Sequence, residues 1–504
     1  MKRRTFLGTA AASAAGGLLL PAATASAGNP PWDALQRSLD GTVVLPGDPR
    51  YDSVRTLALR QFDSVRPQAV VRCTTVEDVS EAVRFAARHR IPAVARSGGH
   101  SFAGYSTTTG MVIDVSPMNS VRLAGSVARI GPGCQLVDLE EALAVEGVAV
   151  PTGWCPTVAI GGLALGGGLG FLTRMYGVAS DRMRRAQVVL ADGRVVESNA
   201  HRHEDLFWAL RGGGGGNFGI VTEYDFEPVP APDMTSFTLT WKWASVRAVL
   251  AAWQRWTADA PDPLTPLLNI STYGADAGAE PGVTVSGVWL GAPAALGPLL
   301  DRLTAAVGTD PATSERRTDS YRFGMRHWFG CDNLEPAACH RVGHNPQAQL
   351  ARYGFALARG NFFDRPLDAA GIDAVLESFA AARNEGEARS FDLQGLGGAH
   401  NRVPATATAY VHRSALFYAG WSVGVDVPEG EVLPADRRRG CQDWIDRSYA
   451  RVHPWSSGQA YQNYIDPDLT DWRQAYYGVN YERLVEVKRA YDPKGFFRFP
   501  QSIN

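Results

Sequence analysis

Two nucleophilic side chains stand on glycine-rich loops. His100 lies in Arg96-Ser97-Gly98-Gly99-His100-Ser101-Phe102-Ala103-Gly104. Cys155 lies in Gly153-Trp154-Cys155-Pro156-Thr157-Val158-Ala159-Ile160, and Gly161, Gly162, Gly166, Gly167, Gly168 and Gly170 follow at once. Each glycine costs about 1 kcal/mol relative to alanine inside a helix, so this run is not expected to form an ordinary helix. It reads as backbone that must come close to something bulky. A lone His or Cys is ordinarily structural. One of each, on two such loops, suits capture of an electrophilic ring at two points. An oxidised flavin offers that ring: its 8α-methyl carbon, through a quinone-methide tautomer, suits an imidazole nitrogen, and its C6 suits a thiolate. The thiolate is the attacking form, so Cys155 calls for a lowered pKa or a nearby base.

The elements that must position these loops can be read locally. Residues 67–96 predict a βαβ unit. Ala69-Val70-Val71-Arg72-Cys73 is its first strand, and Thr74 with Glu77 resembles a capping box. Val79, Ala82, Val83 and Ala86 recur at helical spacing. Pro92 to Arg96 forms the next strand, which delivers the His100 loop; backbone N–H groups of such a loop can cradle phosphate. Residues 111–115 and 127–131 read as strands and 135–145 as a helix. Residues 185–190 and 194–198 flank Ala191-Asp192-Gly193 as a hairpin, and 204–210 is a short helix. Five glycines, Gly212 to Gly216, then precede the strand Asn217-Phe218-Gly219-Ile220-Val221-Thr222. Pro228-Val229-Pro230-Ala231-Pro232 marks a boundary. Beyond it, strands at 237–243, 267–272 and 282–290 alternate with helices at 246–256 and 294–307, which predicts a sheet with helices on one side. A helix around 482–490 closes the chain.

The chain has 504 residues, 45% hydrophobic and 20% charged, as in a globular protein of two to three domains. Lys2, Arg3 and Arg4, an apolar run to Leu20 and Ala25-Ser26-Ala27 form a secretory signal over residues 1–27. Arg3-Arg4 before Phe6-Leu7 points to the twin-arginine route, which exports folded proteins. Losing three positive charges and no acids takes the formal charge from −2 to −5, and there is no basic cluster elsewhere, so nucleic acid is not an expected partner. No other stretch approaches the ~20 apolar residues of a membrane span. The six cysteines match no zinc spacing, and no metal site is expected. Cys331 and Cys339 could close a disulfide in an exported protein, whereas Cys73 and Cys134 sit in strand-like segments as buried apolar residues.

The motifs Arg96 to Ser101, Gly153-Trp154-Cys155-Pro156, Gly166-Gly167-Gly168, Gly215 to Thr222 and Tyr461-Gln462-Asn463-Tyr464 occur in this order along the chain. Together they resemble the berberine bridge enzyme-like family, a branch of the vanillyl-alcohol-oxidase type FAD proteins. The resemblance implies an α+β fold: an FAD-binding domain of two subdomains over 28–228, a substrate domain with an antiparallel sheet covered by helices over 229–454, and a C-terminal segment over 455–504 that returns to the FAD domain. It implies FAD joined at 8α to His100 and at C6 to Cys155. Arg96, Ser97, Gly98, Gly99, His100 and Ser101 would wrap the pyrophosphate. Thr157, Gly161, Gly162, Gly166, Gly167 and Gly168 would lie along the flavin and ribityl chain. Gly219, Ile220 and Val221 would reach or support the adenine end, and Tyr461, Asn463 and Tyr464 would face the ring system. Tyr464 is the candidate base, although a phenol with a pKa near 10 is a poor base at neutral pH. Some relatives carry a second Tyr on the strand that here reads Asp392-Leu393-Gln394-Gly395-Leu396-Gly397-Gly398-Ala399-His400. Leu396 stands there instead, leaving Gln394 or His400 to contact substrate, although a lone histidine such as His400 is more often a structural surface residue.

The expected function is an exported FAD oxidase acting on an alcohol carbon of a sugar, oligosaccharide or glycosylated metabolite, with O2 as acceptor and H2O2 as product. A dehydrogenase or ring-forming enzyme of secondary metabolism is the alternative, and a non-catalytic FAD-carrying binding protein is the alternative from another class. A hydrolytic metal site at His201, His203, Glu204 and Asp205 is disfavoured, because the histidines lack i,i+4 spacing.

Overall fold

A computed structural model describes residues 30–273 and 276–504. The signal sequence expected over 1–27 lies outside the described residues. The first sheet has four strands, in the order Thr42–Val44, Ala69–Arg72, Met111–Asp114, Ala93–Arg96. The last three are parallel, and Met111–Asp114 sits between the two strands of the βαβ unit. The helix Val76–His89 crosses over, burying Val79, Ala82, Val83 and Ala86. Its capping box is Thr75 with Asp78, one residue later than Thr74 with Glu77. The reason lies in the Asp78 carboxylate, which accepts from the backbone of Asp40, Gly41, Thr74 and Thr75 and so ties the lead-in segment to the helix start.

The second sheet is antiparallel, in the order Val121–Ala124, Val127–Ile130, Ile220–Phe226, Met183–Val189, Val195–Asn199. Its first strand is short, with half-buried Val121 and Leu123 alternating with exposed Arg122 and Ala124. The core on this sheet takes in Leu136 and Leu139 of the helix Leu136–Ala144, Ile160, Phe171 and Trp208, together with Leu484, Val485 and Val487 of the C-terminal helix Tyr481–Tyr491. The tail is further fastened by Lys488, whose Nζ donates to the carbonyls of Asn217 (2.6 Å) and Phe497 (2.5 Å) and to Asp492 (2.7 Å).

The third sheet has seven antiparallel strands, in the order Thr313–Asp319, Met234–Trp241, Gly282–Trp289, Leu264–Thr272, Glu387–Gly395, Phe417–Val425, Phe355–Phe363. One face buries Phe391, Leu393, Trp421 and Val423 against the helices Val246–Ala258, Leu296–Val307, Ala369–Ala380 and Ala435–Val452. The fold is therefore α+β, with helices on one side of the large sheet. Cys331 and Cys339 form a disulfide with a Cα–Cα separation of 5.9 Å, and Cys73 and Cys134 are buried. Among the described residues no helix is long and apolar enough to cross a membrane.

Candidate functional site

The two glycine-rich loops touch one another. Ser97 Oγ donates to the Pro132 carbonyl at 2.6 Å, and the Gly161 N–H reaches the same carbonyl at 3.0 Å. A Cβ at Gly98 would lie 2.6 Å from Ala159 N, and one at Gly161 would lie 2.7 Å from Pro132 O and 2.9 Å from Ser97 Oγ. The glycine run does contain a helical turn, Ile160–Leu165, contrary to expectation. Backbone proximity outweighs helix propensity here: at Gly161 no side chain fits, while the Tyr224 hydroxyl donates to the Gly161 carbonyl. After the turn the chain enters conformations that favour glycine, with φ of 113° at Gly167 and 92° at Gly168. Tyr410 packs where a Cβ of Gly167 would stand.

The tail locks this run. Tyr461 Oη accepts from the N–H groups of Gly168 (2.9 Å) and Leu169 (3.2 Å), and Asn463 Nδ2 donates to Tyr461 Oη (2.8 Å) and to the Leu163 carbonyl (2.9 Å). A Cβ on Gly166 would be 2.0 Å from Asn463 Oδ1. By contrast, a Cβ on Gly162 meets nothing within 4 Å, and one on Gly215 meets only the Gly162 Cα at 3.9 Å. Bare backbone from two loops thus lines open space, as a dinucleotide cradle requires.

Several residues expected to touch the cofactor have side-chain partners within the protein. Arg96 is 6% exposed and turns inward: it pairs with Asp114 at 2.9 Å and donates to the carbonyls of Val54 and Arg55. A buried carboxylate needs that partner, so the guanidinium is not free to wrap a pyrophosphate. Ser101 Oγ accepts from Tyr105 N–H at 3.1 Å. Gly99, with φ of 67°, turns the loop. Ile220 and Val221 are buried in two cores, and a Cβ at Gly219 would collide with Val188, so this stretch supports the sheet.

His100 and Cys155 come to one mouth. His100 Nε2 is 2.9 Å from Thr157 Oγ1. Burial and the nearby Arg341 guanidinium push His100 down to about 3, so the imidazole is neutral at ordinary pH and keeps a lone pair. Cys155 Sγ lies 3.7 Å from Tyr353 Oη, and the rings of His100 and Tyr353 are 6.4 Å apart. Arg341 donates to the Gly98 carbonyl at 2.7 Å, and burial lowers it to about 10. Arg341 and Tyr353 escaped the sequence reading, since nothing local marks them: the chain returns from nearly two hundred residues away.

Tyr464 stacks on Phe102 (5.5 Å, 21°) and meets Tyr418 edge-on at 5.3 Å. Beside it a cavity of about 110 Å³ is lined by Gln61, Phe102, Ala358, Ile465 and Asp466, among others. Burial raises the Tyr464 phenol, with Tyr461, Cys155 and Asp392 adding to the rise. That is the wrong direction for a base. His400 is fully buried: it bonds Tyr410 Oη at 3.0 Å and Asn401, and burial pushes it down to about 3. It is neither a surface histidine nor a substrate contact, but a strut behind Tyr410.

The large sheet presents its other face to this region. Directly opposed residues share a face, and the register sets Gln394 between Leu267 and Tyr418, Asp392 between Asn269 and Gly420, and Ser390 between Ser271 and Ser422. Asn269 Nδ2 and Ser390 Oγ donate to Asp392, whose carboxyl is raised by desolvation. Asp392 also lies within electrostatic reach of Tyr464 and Tyr418. Gln394 is 4% exposed, yet neither its Oε1 nor its Nε2 has a partner. Asp392 and Tyr418 were missed in the sequence. The alternation of Phe391 and Leu393 inward against Asp392 and Gln394 outward could have found the first.

His203 bonds Tyr491 Oη at 3.1 Å, and Tyr491 donates to Asp205, so the 201–205 cluster is tied to the tail. The one convergent His/carboxylate group among the described residues is elsewhere, at Asp138, His340 and His344.

A two-part glycine cradle closed by a returning tail, set against a broad antiparallel sheet, defines a flavin-dependent oxidoreductase. Residues 67–199 match the FAD binding domain family, and residues 460–504 match the berberine and berberine-like family. The chain is 33% identical over 474 residues to an uncharacterized FAD-linked oxidoreductase, YvdP, of Bacillus subtilis (strain 168), covering 92% of this chain and 98% of that one. It is 30% identical over 459 residues to the chitooligosaccharide oxidase of Gibberella zeae (strain ATCC MYA-4620 / CBS 123657 / FGSC 9075 / NRRL 31084 / PH-1), covering 87% of each. Among solved structures, BBE-like 1 of Physcomitrella patens superposes with a TM-score of 0.82 at 27% identity, covering 94% of this chain and 99% of the other. The chain belongs to the berberine bridge enzyme-like family of FAD-linked oxidoreductases.

Proposed function

We propose that this enzyme is an exported oxidase that takes a hydride from an alcohol carbon of a sugar, oligosaccharide or glycosylated metabolite and returns the electrons to O2. FAD, when bound, supplies the hydride-accepting ring. The bare backbone at Gly162 and Gly215 suits its extended part, while His100 and Cys155 would hold its ring at two points. His100 offers a neutral imidazole oriented by Thr157, and Cys155 offers a thiol beside Tyr353. The similarity to a chitooligosaccharide oxidase supports a carbohydrate substrate, and the adjacent Arg3-Arg4 ahead of an apolar run in the sequence supports export.

The observation that carries the reading is the face Ser390, Asp392, Gln394 with Asn269, Ser271, Ser422 and Tyr418. Amides, hydroxyls and a carboxylate displayed on strands, with aromatic rings at Phe102, Tyr418 and Tyr464 beside them, match the alternating hydroxyl and C–H surface of a sugar. The buried, unpartnered Gln394 amide has hydrogen bonds to give to substrate hydroxyls. Tyr464 orients the reacting hydroxyl and stays protonated at neutral pH. Asp392, whose carboxyl is raised by desolvation, receives the proton.

The test has two arms. Purified protein is acid-precipitated and weighed: a yellow pellet heavier by one FAD is expected, persisting in His100→Ala and in Cys155→Ala and released only in the double variant. Peroxide release is then measured over a panel of sugars, oligosaccharides and non-sugar alcohols. A colourless pellet overturns the double attachment. Turnover confined to non-sugar alcohols overturns the substrate class.

A further inference from the structure

The disulfide Cys331–Cys339 leads straight into His340, which is 3% exposed. The turn Arg341-Val342-Gly343-His344, with φ of 94° at Gly343, folds His344 back so that the two imidazoles stack at 4.4 Å and 7°. Both face the first turn of the helix Leu136–Ala144. His340 Nδ1 is 2.9 Å from Gln135 Oε1, and His340 Nε2 is 3.1 Å from Asp138 Oδ1. His344 Nδ1 is 3.2 Å from Gln135 Nε2.

We propose that Asp138, His340 and His344 bind a borderline divalent cation of the Zn2+ class, clamping the post-disulfide loop onto the cofactor half. Gln135 Oε1 can only accept, so His340 Nδ1 carries the hydrogen there. Its Nε2 then points at a carboxylate oxygen 3.1 Å away, a gap that a proton or a metal cation can bridge. An imidazole whose second nitrogen is fixed by an amide carbonyl is the usual outer support of a metal-bound histidine. One ligand atom from each of the three residues already lies within 4.8 Å of the others. Bonds of about 2.0–2.2 Å require His344 to close in and to exchange its hydrogen bond from Gln135 Nε2 for the ion; its exposure gives it room to do so and gives the ion a path from solvent. Two imidazoles and a single carboxylate select Zn2+, Ni2+ or Cu2+ over Mg2+ and Ca2+, which prefer all-oxygen shells. Two cations face the group, Arg72 and Arg341. Each has a partner of its own, Asp114 at 3.8 Å and the Gly98 carbonyl. The clamp would therefore also fix the backbone from which Arg341 reaches the mouth at His100 and Cys155.

The full chain, stripped with chelator and gel-filtered, is titrated with ZnCl2 by calorimetry while its unfolding midpoint is followed. One Zn2+ per chain and a raised midpoint are expected, with no response to MgCl2 or CaCl2. His344→Ala changes an exposed side chain, so it should keep the metal-free midpoint and bind at least tenfold more weakly. Asp138→Asn should also weaken binding at least tenfold. Absence of stoichiometric Zn2+ binding, or binding undiminished in His344→Ala and Asp138→Asn, overturns the site. Flavin content and turnover play no part in either readout.

Discussion

Around the cradle the contacts engage backbone groups: Ser97 and Gly161 share the Pro132 carbonyl, and Gly168 and Leu169 give their N–H groups to Tyr461. On the sheet face opposite, they are made by side chains projecting from regular strands, with Asn269 and Ser390 bonding Asp392 and Gln394 left without a partner. Where the backbone is packed this closely, as at Gly98, Gly161 and Gly166, almost no added atom is tolerated, because a neighbour already stands within 3 Å of where a Cβ would sit. A site made of side chains on a rigid sheet can change residue by residue without disturbing the fold. That contrast suits a cradle serving one constant cofactor and a sheet face serving substrates that differ between relatives.

The contrast can be broken at both ends. The largest expected effect is at Asp392→Asn: kcat should fall by about 10²–10⁴ with little change in thermal midpoint, and the acidic limb of the pH–rate profile should disappear. A loss under tenfold would remove Asp392 from proton transfer.

Next comes Glu140, which supports the cradle from behind through a hydrogen bond from Thr152. Burial pushes its carboxyl up to about 8 from 4.5. Below pH 4.5 the folded and unfolded states both hold the proton. Between 4.5 and about 8 only the folded state does, so stability falls as pH rises through that window, by at most about 1.4 kcal/mol per unit. Glu140→Gln should flatten this slope in urea titrations at pH 5 and 8. An unchanged slope would show that Glu140 titrates normally.

Gly166→Ala sets a Cβ against Asn463 and should cost about 1–3 kcal/mol by overpacking, read as a lower midpoint together with weaker flavin retention. Gly162→Ala, with open space around it, is the control for the fold. It should leave the midpoint unchanged and affect flavin uptake alone.

The smallest effect belongs to Gln394→Ala: a rise in KM of about tenfold, the worth of one lost buried hydrogen bond, with an unaltered midpoint. A drop in midpoint instead would make Gln394 structural.

The reach of the sequence follows the same division. Glycine is the residue type whose placement is dictated by what must come near the backbone, so the cradle was legible at Gly98, Gly161 and Gly166 to Gly168. The tail motif Tyr461 to Tyr464 was legible with it. Its glycine count misled only at Ile160–Leu165, where close packing admits one helical turn. Arg96 misled as well, because a guanidinium beside a glycine loop looks the same in sequence whether it faces a phosphate or a buried Asp114. His400 looked like surface or substrate contact, since burial is not written in a single polar residue.

By itself the sequence determined the pairing of His100 and Cys155 on two glycine loops, the apolar periods of the helices and strands, and through them the family. Only the tertiary structure decided which strands adjoin, and so that Asp392 and Gln394 share a face with Tyr418. It also decided that Arg341 and Tyr353 reach the mouth at Cys155, and that His340 and His344 meet Asp138. Those placements rest on contacts between residues far apart in the chain, whose register is set by burial of the opposite faces, and no local pattern records them.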